Sequence, residues 1–247
     1  MKPLLFAKAD PAETFGIGWT AVSDAGAQVR IWDAINDEPA PSLDGVSGVV
    51  LFGSSYNIEH ANEQPFIDRL RTLTLDAFDH GTPFLGICFG AQVLAWSLGA
   101  EIRKAPVREI GYVPLRPLPP AADDQLLSHY ADGDPVFQWH MDTFDLPTEA
   151  EQLASGDEVP AQAYRIGDRT WATQFHLEID RSEMDLWIDD IGPALETDWH
   201  TTSARLRNAA AAHQARHEHQ GAEVFRRFVK VAQTLASEPP AGLGEGD

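Results

Sequence analysis

A chain of 247 residues that is 43 % hydrophobic can bury one large mixed core, and the expectation is a single domain over residues 1–236. Its formal net charge of −20 argues against nucleic acid or an anionic membrane surface as partner, because phosphate recognition needs a cationic face. A single cysteine excludes an intramolecular disulfide, no stretch approaches the roughly 20 apolar residues of a membrane span, and the opening Met-Lys-Pro-Leu-Leu-Phe lacks a signal peptide's long apolar core, so a soluble cytoplasmic protein is expected.

In chain order, residues 4–7 (Leu-Leu-Phe-Ala) predict a first strand, and the glycine-containing stretch 15–19 leads into a short helix or loop. Residues 29–32 predict a second strand. Residues 49–52 (Val-Val-Leu-Phe) form an apolar run bounded by glycines, which fits a strand buried on both faces of a parallel sheet. It ends in Gly53-Ser-Ser-Tyr-Asn, a loop of turn formers. Over 64–78 the positions of Phe66, Ile67, Leu70, Leu73, Leu75 and Phe78 recur at helical spacing, and Gly81-Thr-Pro closes that helix. Strand, helix, strand, helix is the rhythm of a doubly wound sheet, in which ligands lie beyond the carboxyl ends of the strands.

The next segment, Pro83-Phe-Leu-Gly-Ile-Cys-Phe-Gly-Ala-Gln92, reads as a nucleophile elbow. Phe84, Leu85 and Ile87 end a buried strand, and Val93, Leu94, Trp96 and Leu98 mark the packed side of the following helix. Gly86 and Gly90 bracket Cys88 in a G-x-C-x-G spacing, whose mechanics match G-x-S-x-G: a tight strand-to-helix turn that only glycine neighbours allow. The sulfur is then exposed at a helix N-terminus, where the macrodipole favours an anion.

The second half changes texture. Residues 109–115 and 135–140 predict short strands separated by the proline-rich 116–122, and 163–166 and 171–175 predict two more joined by a Gly167-Asp-Arg turn. An antiparallel portion beside the parallel sheet is expected. Residues 184–191 suit a short helix, 202–235 a long one with a break near Gly221, and the polar tail 237–247 is expected to be mobile.

A nucleophilic cysteine needs a base and an orienting carboxylate. His176 and Glu178 in Phe175-His-Leu-Glu-Ile179 supply both: on an extended segment they share one face about 7 Å apart, with Phe175, Leu177 and Ile179 on the other. The bland reading of the same pattern is alternation on a half-buried strand.

Gly86-Ile-Cys-Phe-Gly-Ala-Gln92, followed far downstream by Gln174-Phe-His-Leu-Glu178, resembles the class I glutamine amidotransferase domain of the free-standing, GMP-synthase-like kind, over roughly 49–179. The segments Glu109-Ile-Gly-Tyr112 and Trp139-His-Met-Asp142 add to the likeness. The resemblance implies a flavodoxin-like, mostly parallel sheet flanked by helices, with a smaller antiparallel portion. It implies that Cys88 attacks the side-chain amide of glutamine, that His176 moves the proton, and that Glu178 fixes the imidazole. The backbone N–H groups of Gly53 and Phe89 would hold the oxyanion, and Gln92, Trp139 and His140 would contact the substrate. Two positions depart from the pattern, with consequences expected for the shape of the glutamine pocket. Ala91 stands where the family has histidine or another larger side chain, and Phe52 replaces the first of a glycine pair.

No cofactor or metal is expected. His213 and His217 have helical i, i+4 spacing, but histidine on a polar, alanine-rich surface is more often solvated. His60, His80, His129 and His200 show no partner in the sequence. The seven tryptophans are expected to serve core and rim packing. Gly16-Ile-Gly18 lacks the third glycine of a dinucleotide fingerprint. Three readings follow: an amidotransferase acting with a separate synthetase or acceptor subunit, a free-standing hydrolase of γ-glutamyl amines or other γ-glutamyl compounds, and an inert binding relative, against which the intact trio of residues argues.

Overall fold

Alternation within the short apolar runs decides the centre of the molecule, which a computed structural model describes over residues 2–36 and 39–237. Strands β1 (Leu4–Lys8), β2 (Val29–Asp33), β3 (Gly48–Leu51) and β4 (Phe84–Ile87) are parallel and adjacent in the order β2-β1-β3-β4. Leu4, Phe6 and Val50 point to one face of this sheet, and Leu5, Ala7, Val49 and Leu51 to the other. Both faces are therefore covered by helices. On the first lie α1 (Gly16–Asp24) and the 35-residue α6 (Ser203–Ser237), whose Val224, Phe225, Phe228 and Ala232 join Phe6 and Phe52. On the second lie α2 (Pro65–Asp79) and α3 (Phe89–Ser97), through Phe66, Leu70, Val93 and Leu94.

The remaining strands are β5 (Ile102–Pro117), β6 (Asp134–Phe144), β7 (Glu151–Ser155), β8 (Ala163–Ile166) and β9 (Thr170–Thr173). β9 pairs parallel with β4, and from there the sheet continues antiparallel as β9-β8-β7-β5-β6. The mostly parallel sheet with an antiparallel portion is thus as expected. So is the β8–β9 hairpin, whose Gly167 takes φ 60°. The helices α4 (Arg181–Ile191) and α5 (Ala194–Thr197) pack with β6 and the start of α6 around Phe137, Ile179, Met184, Ile188 and Leu206. No helix among the described residues is long and apolar enough to cross a membrane.

Several boundaries differ from expectation, each for a tertiary reason. β5 runs far past 109–115 because β6 pairs with it along both arms of a bulge, and it absorbs Arg116 and Pro117. β7 carries no strand pattern in the sequence because Glu-Gln-Leu-Ala-Ser has only Leu153 and Ala154 to bury. β9 stops at Thr173, and 174–178 forms bends with one isolated bridge from His176 to Phe137. α6 passes through Gly221 without a break: a Cβ there would lie 2.1 Å from the Leu177 carbonyl oxygen, so glycine serves close approach of helix and chain. Of the tail, only Ser237 falls within the described residues, as the last residue of α6.

Candidate active site

The carboxyl ends of β3, β4 and β9 lie side by side in the sheet, and each feeds a loop into one pocket. After β4 comes Cys88, with φ 50° and ψ −105°, a conformation that L residues adopt only under constraint. The constraint is visible. The Cys88 N–H donates to the Thr173 carbonyl at the end of β9 (2.7 Å), and its carbonyl accepts from Ala91 and Gln92 in the first turn of α3. A Cβ on Gly90 would sit 2.1 Å from the Leu51 carbonyl oxygen, and one on Gly86 would sit 2.7 Å from the Gly90 carbonyl oxygen, so both flanking glycines are required for the turn to close. The elbow expected from the spacing is present and Cys88 caps the N-terminus of α3, but its side chain is buried rather than exposed, because Gly53 and Gln174 close against it.

The bend after β9 brings His176 and Glu178 together, which a straight strand would not. His176 Nδ1 lies 2.6 Å from Glu178 Oε1, and because a carboxylate only accepts, Nδ1–H is the donor. Phe175, Leu177 and Ile179 are buried, but so are His176 and Glu178, so the pattern is not that of a half-buried strand with a solvated face. Burial disfavours the imidazolium, yet the Glu178 carboxylate, the charge of Cys88 and hydrogen bonds to both outweigh it and hold His176 well above the usual histidine range. Cys88 and the imidazole of His176 thus lie against one another, with the buried Glu178 carboxylate behind the ring.

Gly53, Phe89 and Gln92 line the same pocket as Cys88 and His176, together with Trp139 and His140. A Cβ on Gly53 would approach His176 Cε1 to 2.9 Å and Cys88 Cβ to 3.8 Å, so this glycine lies directly against the pair. Gln92 donates to the Asp142 carbonyl (3.3 Å). Both ring nitrogens of His140 are occupied, Nδ1 by the Asp142 carbonyl and Nε2 by Glu109, each at 3.0 Å. What His140 offers the pocket is ring surface. Glu109 also accepts from Gln162, whose own amide oxygen accepts from Gln138, so a buried polar chain braces this wall.

Gln174, the first residue of the downstream motif, has its Nε2 3.7 Å from Cys88 Sγ. Other residues at the site carried no signal in the sequence. Glu13 and Glu183 sit close to Glu178: Glu183 accepts from the Thr14 N–H (3.1 Å), Glu13 from the Phe15 N–H (2.5 Å), and the Glu178 carbonyl accepts from the Ile17 N–H (2.8 Å). Burial and then Glu178 push the Glu183 carboxyl up to about 7, and burial, Glu183 and Glu178 raise Glu13 well above the carboxylate range. Only the fold places 13–17 beside 178–183, and no local pattern marks them. Trp139, Trp187 and Trp199 meet edge to face, with ring centroids 5.8 and 6.0 Å apart around Trp139, and wall the pocket. Three tryptophans thus go to the site, whereas Trp171 and Trp32 pack in the core.

Neither Ala91 nor Phe52 lines this pocket. Ala91 is buried under β8, its carbonyl accepting from Tyr164 (3.2 Å), and Phe52 packs edge-on against Phe6 and Phe15 at 4.9 Å. His217 is not solvated either. It is buried against Tyr112 and Phe137, and burial followed by the charge of His176 pushes it down to about 3. His129 faces the Gln220 carbonyl at 3.0 Å. Among the described residues no group of histidine, cysteine and carboxylate side chains has the arrangement of a metal site.

A sequence profile of the family described as Glutamine amidotransferase class-I matches residues 20–188. The chain is 36 % identical over 143 residues to a glutamine-hydrolyzing GMP synthase of Porphyromonas gingivalis, an alignment covering 57 % of this chain and 26 % of that protein. It is 29 % identical over 167 residues to a glutamine-hydrolyzing GMP synthase subunit of Thermoplasma acidophilum, covering 67 % of this chain and 78 % of that one. The chain therefore spans about a quarter of the length of the first of these relatives. Among solved structures, a glutamine amidotransferase of Thermotoga maritima superposes with a TM-score of 0.82 at 24 % identity, over 93 % of this chain and 99 % of that one. One from Methylobacillus flagellatus superposes with a TM-score of 0.84 at 22 % identity, over 100 % and 99 %.

Proposed function

The chain belongs to the class I glutamine amidotransferase family, and on that premise we propose that it hydrolyses the side-chain amide of glutamine through a γ-glutamyl thioester on Cys88. The observation that carries this reading is the strained Cys88 elbow facing the buried, hydrogen-bonded His176–Glu178 pair. Cys88 thiolate attacks the amide carbon, and the oxyanion is received by the N–H groups of Gly53 and Phe89; the N–H groups in the first turn of α3 have no intrahelical partner. His176, as imidazolium, gives its Nε2 proton to the departing ammonia. The C–N bond breaks and the thioester remains. Water then attacks the thioester while His176 takes a proton from it, and glutamate leaves as the thiolate is restored. Glu178 keeps the imidazole in one orientation and stabilises its cation. Gln92 and Trp139 border the substrate.

We read the biological setting as cytoplasmic, where the single thiol stays reduced, and the ammonia as passing to a separate synthetase partner. The similarity to a protein described as one subunit of a GMP synthase supports that partner. A second reading is favoured by one observation: the pocket, about 560 Å³ and walled by Trp139, Trp187 and Trp199, exceeds what glutamine alone fills. That reading is a free-standing hydrolase of γ-glutamyl amines.

The test is glutamate release by the purified chain, with Cys88→Ala as control, from glutamine and from a series of γ-glutamyl amines. Cysteine-dependent release from glutamine bears out the first reading, and preference for an amine by tenfold or more in kcat/KM replaces it with the second. If neither is turned over and the diazoketone analogue of glutamine fails to label Cys88, both are wrong.

A further inference from the structure

The bulge in β5 presents one cation to the pocket. Lys104 pairs with Asp142 and Glu109 with His140, so residues 105–108 of β5 are looped out against a much shorter stretch of β6. Bulges of this kind re-aim side chains near sites. Glu109 turns inward to His140, and Arg108, exposed, turns into the pocket that holds Cys88.

Arg108 is fixed there by the opposite wall. Its Nη1 donates to the backbone carbonyl of Asp198 (2.6 Å), and its guanidinium carbon lies 5.9 Å from the ring centroid of Trp199. No carboxylate pairs with it among the described residues, although the chain is strongly acidic. Arg103, Arg116, Arg165, Arg207 and Arg216, by contrast, each hold an aspartate or glutamate. Of the described residues lining the pocket, Arg108 is the only lysine or arginine, against Asp10, Glu13, Asp142, Asp190 and Asp198.

Resting on the glutaminase reading above, we propose that Arg108 is the residue that reads the α-carboxylate of the substrate. An acidic pocket suits the α-ammonium of an amino acid but repels its carboxylate, and Arg108 is the cation placed to offset that repulsion. Arginine is suited to it: with Nη1 tied to Asp198, the other guanidinium donors keep the planar fork that matches a carboxylate. Arg108 is a positioning and specificity residue. It touches the substrate end that does not react, so its loss raises KM and leaves the chemical step in place.

The experiment compares kcat/KM for L-glutamine and for L-glutamine α-amide, in which the α-carboxylate is replaced by a carboxamide, in the wild-type chain, Arg108→Gln and Arg108→Lys. A charge-assisted contact predicts that wild type prefers glutamine by about 10- to 100-fold. In Arg108→Gln that preference collapses to within about threefold, through KM, while Arg108→Lys recovers part of it. Equal losses on the two substrates would mean that Arg108 merely ties β5 to the α5 segment, and the proposal is overturned. It is also overturned if the variant loses only the discrimination between γ-glutamylglycine and γ-glutamylmethylamide, which places the carboxylate on the leaving group. The two readings fail separately. Unaltered glutamine KM in an active Arg108→Gln removes the clamp alone. If the purified chain is silent, calorimetry of glutamine on Cys88→Ala and on Cys88→Ala/Arg108→Gln decides: weaker binding in the double variant supports the clamp, equal binding removes it, and no binding to either removes it together with the glutaminase reading.

Discussion

His176 and Glu178, separated by a single residue, meet through Nδ1 and Oε1 at 2.6 Å. On a regular strand their side chains would run parallel about 7 Å apart. The chain bends instead, and both ends of the bend are pinned: the His176 N–H donates to the Phe137 carbonyl (2.9 Å), and the Glu178 carbonyl accepts from the Ile17 N–H (2.8 Å). The pair is thus made by β6 and the start of α1, neither of which is near it in sequence.

Replacing Glu178 by Gln keeps the shape and removes the charge that holds His176 protonated. Because that charge raises the imidazole, its removal lets His176 lose its proton at lower pH, and less imidazolium is left near neutrality to protonate the departing ammonia. Glutamine hydrolysis is expected to fall about 10³- to 10⁴-fold with KM little changed, by analogy with charge removal in other triads. The pH dependence of Cys88 alkylation by iodoacetamide should shift with it. Activity within tenfold of wild type would remove Glu178 from the mechanism.

Gly53 does not have a positive φ, so alanine fits its backbone; the conflict is with His176, whose Cε1 would lie 2.9 Å from the new Cβ. A displaced imidazole costs rate steeply, on the order of 10- to 100-fold. Gly53→Ala should therefore lose turnover while its melting temperature stays within a few degrees of wild type. A large loss of stability with normal turnover per folded molecule would show that Gly53 serves packing instead.

At Gly221 two effects oppose each other. Alanine in a helix interior is favoured over glycine by about 1 kcal/mol, but here the Cβ would meet the Leu177 carbonyl oxygen at 2.1 Å, a backbone atom that cannot step aside alone. Overpacking of this kind costs roughly 1–3 kcal/mol or more, so the clash prevails. Gly221→Ala should lower the urea midpoint, and a raised midpoint would contradict the packing of α6 on 177.

Glu183 links stability to pH. Burial and Glu178 hold its carboxyl at about 7 against 4.5 for an unperturbed group, and its Oε2 has no partner among the described residues. A group with a raised folded value binds more protons when folded, so its penalty is absent below about pH 4.5 and complete above about pH 7. Glu183→Gln retains an acceptor for the Thr14 N–H and removes the charge facing Glu178, Glu13 and His176. It should stabilise the chain at pH 8 by a few kcal/mol and leave it nearly unchanged at pH 4.5. Melting curves at the two pH values check this, and equal shifts at both would refute it.

Local chemistry made much of this protein legible. Short apolar runs announced β1, β3 and β4, because a strand buried on both faces needs little else, and Val-Arg-Ile-Trp announced the more exposed edge strand β2. Gly86, Cys88 and Gly90 announced the elbow, because only that composition permits the turn. His176 and Glu178 could be named as candidates from type and spacing once the elbow called for a base and a carboxylate. What pattern could not reveal is contact between distant segments. The bend that joins His176 to Glu178, the carboxyls of Glu13 and Glu183 behind them, the tryptophan wall and the Arg108 bulge each depend on strands brought side by side by the sheet. Burial likewise is a property of the whole. His217 and Gly221 read as a solvated histidine and a helix break until packing against Phe137 and the Leu177 carbonyl gave each its place.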